Sequence, residues 1–342
     1  MSVLVGVDSE SSVDGGGPTG RDSQGIVNSK SARGVDWKYE GVFLVAVLIS
    51  ATLCLTMAGR RPGWPTGQLL ADPTIVQIYA AHFRHGDFLP VWSSSDAFGM
   101  GTPVLLYYHR VFFTVAGVIF IVLDGALKPT LMATLAVFMV VGAYGMRKAL
   151  GVVTRYRWLA AVGSIGFLFT NWGFGEWLVR GDLAEFAAFM FVPWLLFCCL
   201  TLVKDGRLSW LIVPVMVLLV ESHSAIGLLS IIMLVSTGVI FIVYNGWAGV
   251  RSVVPRLTIA VGATAAILLP LLIAEVRMGR YYDPITVTID ESRPFSGNFS
   301  HPLSYLFDPS FHWLSGSATA VVPVQVDLPI TALLAVGLLT TL

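Results

Sequence analysis

Residues 210–244 read WLIVPVMVLLVESHSAIGLLSIIMLVSTGVIFIVY, an apolar stretch broken near its middle by Glu221-Ser222-His223-Ser224. A helix crossing about 30 Å of hydrocarbon needs roughly 20 apolar residues, and this stretch is too long for one comfortable crossing. An ionisable side chain facing lipid at mid-depth costs about 2.5–3.5 kcal/mol on insertion scales. The sequence therefore predicts two helices meeting at Glu221–Ser224, with their polar groups turned toward protein or a water-filled cavity.

The same grammar runs outward in both directions. Apolar runs occupy Val42–Met57, Val104–Leu123, Leu131–Met146, Trp158–Phe169, Ala184–Val203, Leu257–Ala274 and Leu328–Leu342. Together they predict an all-α, polytopic transmembrane bundle with about eight or nine spans. The last run reaches the end of the chain with no polar flank, so further helices are expected after it. Residues 1–40 differ. They are rich in Gly, Ser and Asp, with a triple glycine at 15–17, and carry few large apolar groups. Such a segment cannot bury enough surface to offset its ordering entropy. It reads as a disordered cytoplasmic tail ahead of a membrane domain over 41–342.

Composition supports this reading. The chain is 55% hydrophobic and only 12% charged, whereas a soluble domain carries about 25% charged residues. A formal net charge of zero gives no footprint for nucleic acid. The 10 Trp, 10 Tyr and 20 Phe suit membrane interfaces. Cys54, Cys198 and Cys199 all lie inside apolar runs without metal-ligand spacing and read as small apolar fillers.

Basic residues set orientation. The clusters Arg147/Lys148/Arg155/Arg157, Lys204/Arg207 and Arg251/Arg256 are expected on the cytoplasmic side. Asn171–Glu185, Glu221–Ser224 and the long connection 275–327 then face outward. The first connection, 59–109, is in conflict. Counting from the tail puts it outside, and counting back from Arg147 puts it inside. A re-entrant or interfacial helix between Arg61 and Arg147 resolves the conflict, and the connection is assigned outside.

That first connection is the richest in polar chemistry. It contains Asp72-Pro73, His82, His85-Gly86-Asp87, Pro90-Val91-Trp92, Gly99-Met100-Gly101-Thr102-Pro103 and Tyr107-Tyr108. Asp72-Pro73 is a good helix start, since Asp accepts from free N–H groups and Pro suits the first turn. A short interfacial helix from Pro73 to about His85 would set Ile75, Ile78, Tyr79 and His82 along one side, with Gly86 ending it. On spacing alone Asp72 reads equally as a helix cap, and Asp87 as a loop acid.

The acid, the later His, then Gly86-Asp87-x-x-Pro90-x-Trp92, Gly99-x-Gly101-x-Pro103 and the Tyr pair resemble the opening of the GT-C superfamily of polyprenyl-phosphate-dependent glycosyltransferases. So do Arg180-Gly181-Asp182-Leu183-Ala184-Glu185 and Glu221-Ser222-His223. Within the superfamily the likeness is strongest to bacterial membrane proteins labelled 6-pyruvoyl-tetrahydropterin synthase-related and to the YfhO-like group, and it covers about residues 40–275. Nothing here resembles a soluble zinc enzyme, so no pterin chemistry is implied.

The resemblance implies transfer of a sugar from a lipid-phosphate donor to a glycan or lipid acceptor outside the cytoplasm, in a multi-pass protein of the cell membrane. It implies that Asp72 is the catalytic acid of the first outward loop. Many members carry two adjacent acids there, and this chain has one. A base must take the acceptor's hydroxyl proton. The departing phosphate needs a cation or a divalent metal. His82, Asp87, Arg180, Glu185, Glu221 and His223 are the expected substrate-binding residues, and no side chain is assigned as a metal ligand. The blander readings stand beside these. Arg180 could anchor a helix at the interface, Glu185 could answer a helix dipole, and Glu221 with His223 could form a structural network. The connection 275–327 interleaves Tyr281, Tyr282, His301, His312 and Trp313 with acids, which suits sugar stacking or an interfacial loop alike. The rival functions are a glycolipid or polysaccharide transporter and a non-catalytic complex partner, since transporters also break helices at polar mid-membrane points.

Overall fold

The computed structural model describes residues 37–59, 72–95, 99–170, 173, 177–178 and 181–281. The tail before Trp37, most of the connection 275–327 and the run Leu328–Leu342 lie outside the described residues. Helices in chain order are α1 (Trp37–Gly59), α2 (Asp72–Arg84), α3 (Val104–Tyr107), α4 (Arg110–Val122), α5 (Leu127–Val153), α6 (Arg157–Leu168), α7 (Leu183–Asp205), α8 (Ile212–Ser222) and α9 (Ser224–Met278). Among the described residues the only β pairing is an isolated antiparallel bridge between Ser93 and Thr102. The architecture is all-helical, as the period of the apolar runs requires. α1 begins at Trp37, ahead of the expected boundary at 41.

Among the described residues four helices are long and apolar enough to cross a membrane: Trp37–Thr56 within α1, then α5, α7 and α9. The expectation of about eight or nine crossings treated every apolar run as a span. α4, α6 and α8 have 13, 12 and 11 residues. At 1.5 Å per residue they reach only about 16–20 Å. The expected crossing Val104–Leu123 is broken at Tyr108-His109. Phe112, at the start of α4, stacks on Phe138 near the middle of α5 with ring centroids 5.6 Å apart. The other end of α4 turns through Asp124 and Gly125, both at positive φ, into the start of α5. α4 therefore covers about half the length of α5 and adds no full crossing.

The 55-residue run of α9 would be about 80 Å long if straight. Its two ends instead meet one short segment. His223, just before it, stacks on His109, and the Glu275 carbonyl near its end accepts from the Tyr107 hydroxyl at 2.8 Å. The run reverses at Gly246, whose φ of 62° and ψ of −176° are reached readily only without a side chain. Two legs result, 224–245 and 247–278.

α5 and α7 form the centre of the bundle. A Cβ at Gly145 would come within 2.7 Å of the Trp194 ring, so only glycine lets that indole reach α5. There Trp194 Nε1 donates to the Val141 carbonyl at 2.9 Å. Basic residues gather at one end: Arg147 pairs with Glu40 and lies over the Phe43 ring, the Tyr39 hydroxyl donates to the Arg157 carbonyl, and Lys204 donates to Val152. At the opposite end Lys128 Nζ donates to the Gly59 carbonyl at 2.9 Å, joining the finish of α1 to the start of α5. The faces of α1 and α9 turned away from the bundle are apolar, with Val42, Val45, Leu53, Leu228, Val235 and Val239 each more than half exposed. Large exposed apolar faces mark contact with lipid or protein. Cys54, Cys198 and Cys199 are buried free thiols packed in the core.

α2 forms where Asp72-Pro73 predicts it, and Gly86 at φ 81° follows its last turn. Its buried stripe is Ile75, Val76, Tyr79, Ala80 and Phe83. This is one step round from the expected Ile75/Ile78/Tyr79/His82 side, because α2 packs its small Ala80 and the Tyr79 Cβ onto Gly117 of α4. His82 is left facing Asp87.

Candidate functional site

Three chain segments place ionisable groups together at the α7 start and the α8–α9 junction. Asp182 is the N-cap of α7, and its side chain accepts from the Glu185 backbone N at 2.8 Å. That bond satisfies one of the free N–H groups of the first turn. It also fixes Asp182 beside Glu185, which is 6% exposed. At the second segment α8 ends at Ser222 and α9 starts at Ser224. His223 alone is extended, at φ −165° and ψ 117°. A Cβ at Gly227 would lie 3.1 Å from the Val220 Cα, so the small residue there lets the two helices close tightly around His223.

One ligand atom each from Asp182, Glu185 and His223 lie within 4.8 Å of one another. Two carboxylates and an imidazole in that arrangement can converge on one divalent cation. The His223 ring rests on the His109 ring, with centroids 4.4 Å apart and planes tilted by 34°.

The third segment is the α3–α4 break. Arg110, next to His109, is 7% exposed. Its Nε lies 3.7 Å from Glu221 Oε2, and its Nη2 donates to the Leu106 carbonyl at 3.4 Å. Its Nη1 is buried with no hydrogen-bond partner among the described residues. Glu275, returned by the second leg of α9, is within electrostatic reach of Arg110. The Tyr79 hydroxyl is also buried and unpartnered. Burial pushes its phenol above the ordinary range, against the opposing pull of the Arg110 charge. It therefore stays a neutral donor at neutral pH. Chain order brings the imidazole stack and the Arg110–Glu221 pair into register, since His109 and Arg110 are adjacent, and His223 and Glu221 are separated by one residue.

An apolar groove of about 260 Å³ lies between α7 and the first leg of α9, lined by Phe189, Val192, Ile226, Leu229, Ser230 and Met233. Phe189 is one turn beyond Glu185, and Ile226 follows His223 by less than one turn. The groove thus lies about one turn along α7 and α9 from the carboxylates and His223.

Of the residues expected from sequence, Glu185 and His223 share the cluster, and Glu221 sits beside it on Arg110. His82 and Asp87 pair with one another, Nδ1 to Oδ2 at 2.9 Å, and Asp87 Oδ1 also accepts from Leu89 N at 3.2 Å. They close the turn after α2. Asp72 is the first residue of α2, and its side chain lies outside the described residues, as does Arg180. The sequence reading did not single out Asp182, His109 or Arg110. A signal existed for two of them: His109 and Arg110 are the only basic residues in the apolar run Val104–Leu123, which holds no acid, and such residues inside apolar runs are expensive to leave unused. No protein-family model, curated protein or solved structure matches this chain.

Proposed function

We propose that this chain is a multi-pass membrane glycosyltransferase of the GT-C kind, moving a sugar from a polyprenyl-phosphate donor to an extracytoplasmic glycan or lipid acceptor. One observation carries the reading: the cluster of carboxylates, imidazoles and a buried arginine stands about one turn from an apolar groove between two long apolar helices. That combination suits an amphiphile with an anionic head and a hydrocarbon chain. The groove takes the isoprenoid chain, and Arg110, with its spare Nη1, meets the phosphate. Arginine suits this because its fork presents several donors to phosphate oxygens. A carboxylate takes the acceptor's hydroxyl proton while that oxygen bonds to the anomeric carbon. The carbon–oxygen bond to phosphate then breaks, and the phosphate leaves with the electron pair, stabilised by the cationic side. The resemblance of the first connection to GT-C proteins gives the base role to Asp72.

The test uses membranes containing the full chain and a labelled polyprenyl-phosphate sugar. Asp72→Asn keeps the shape of the helix start and removes the basic carboxylate, so transfer should fall by about 100-fold or more. Unchanged transfer at normal protein level overturns the assignment to Asp72. The broken helices at His223 and Gly246 favour a second reading, transport of a glycolipid without chemistry. Movement of labelled glycolipid across vesicles with no new glycosidic bond would establish that reading instead.

A further inference from the structure

We propose that Asp182, Glu185 and His223 form a site for one divalent cation, of the Mn²⁺, Mg²⁺ or Zn²⁺ class. The proposal deepens the site on which the transferase reading rests, but it needs no sugar chemistry to stand. The geometric argument comes first. The three ligand atoms lie within 4.8 Å of one another. In a six-coordinate ion with bonds of about 2.1 Å, opposite ligands are about 4.2 Å apart, so small side-chain rotations would bring all three onto one centre. The backbone holds the set from two independent elements. Asp182 is fixed by its capping bond, Glu185 by the first turn of α7, and His223 by the break between α8 and α9.

A second observation points to a ligand. His223 Nδ1 is shielded from solvent and makes no hydrogen bond among the described residues. A buried ring nitrogen left unpaired costs about 1–3 kcal/mol. The neighbouring group cannot supply the missing partner, since the His109 ring lies across the His223 ring face rather than at its edge. A metal-bound imidazole usually gives its other nitrogen to a carboxylate, carbonyl or water, and the same buried nitrogen would then be accounted for by the ion or by a water attached to it. Arg110 is held by Glu221, so its charge is already engaged beside the cluster rather than inside it. The donors are two oxygens and one nitrogen without thiolate, which selects hard or borderline divalent ions and disfavours Cu(I). Three protein ligands leave coordination positions for water or a phosphate oxygen.

The experiment reads the ion directly. The full chain, purified in lipid nanodiscs and stripped with a chelator, is titrated with Mn²⁺ while free Mn²⁺ is followed by electron paramagnetic resonance. The expected result is saturable uptake of about one Mn²⁺ per chain, displaced by Zn²⁺, with Asp182→Asn and His223→Ala each weakening binding by about tenfold or more. Asp205→Asn, at the opposite end of α7, should bind as the unaltered chain does. Gel filtration and far-ultraviolet circular dichroism establish that each variant is folded. If a variant fails to fold, His223→Gln, which keeps a polar group of similar reach, replaces it. Absence of uptake, or uptake unchanged by both cluster variants, overturns the site. Bound Mn²⁺ in a chain that transfers no sugar overturns the transferase reading and upholds the site. Sugar transfer that persists in chelator and in Asp182→Asn overturns the site and upholds the transferase.

Discussion

Arg110 shows how much of the site was legible residue by residue. Glu221, His223 and Glu185 stood out in the sequence because ionisable groups in apolar surroundings need partners. Their partners did not, because the link from Arg110 to Glu221 is made across the fold and not along the chain. His109 and Arg110 were absorbed into what read as a crossing, and Asp182 was taken as part of a motif and not as a ligand in its own right. The pair makes a sharp prediction. Removing one member of a buried ion pair leaves an uncompensated charge and costs about 3–5 kcal/mol, whereas replacing both is often nearly neutral. Arg110→Met should therefore lower the Tm of the purified chain clearly more than the double variant Arg110→Met/Glu221→Gln. Equal losses in the two would mean that the 3.7 Å contact carries no coupling.

At the level of elements, the sequence located the helices well and their lengths poorly. The junction at His223, the start of α2 at Asp72-Pro73 and its finish at Gly86 follow from local chemistry: caps, proline and glycine. Whether an apolar run crosses depends on what lies beside it, and α4 reads as a span until the Tyr108-His109 break and the stack of Phe112 on Phe138 are known. The reversal in α9 was legible, since the apolar run ending at Tyr244 and the one starting at Leu257 are separate and Asn245-Gly246 between them is a turn signal. It offers a test by contrast. Gly246→Val forces a branched side chain into a positive-φ, extended-ψ region that is essentially open to glycine alone and should cost about 1–3 kcal/mol. Gly238→Ala, in the same helix with open space around it, should be neutral or slightly stabilising. Thermal unfolding of the two variants separates them, and identical behaviour would show that the turn does not depend on glycine.

For the whole molecule, the gathering of Arg147, Arg157 and Lys204 at one end gives the charge asymmetry that orients membrane chains. Native thiols do not confuse a labelling test, because Cys54, Cys198 and Cys199 are all buried. Cysteine at exposed Ser94 should react with a membrane-impermeant maleimide in intact cells. Cysteine at exposed Lys148 should react only after permeabilisation. Both reacting in intact cells would overturn the orientation.

The contacts that close the site also impose an order of events during synthesis. Arg110 leaves the ribosome long before Glu221, and Tyr107 precedes its partner Glu275 by 168 residues. At about 5–20 residues per second, the α3–α4 segment exists for roughly 8–34 s without the groups that complete it. Glu221, the counter-charge of Arg110, follows it by 111 residues, about 6–22 s at the same rate, and until then the guanidinium is unpaired. The folding of this protein is thus timed by its own length: the early polar break is parked, and the late helices come to collect it.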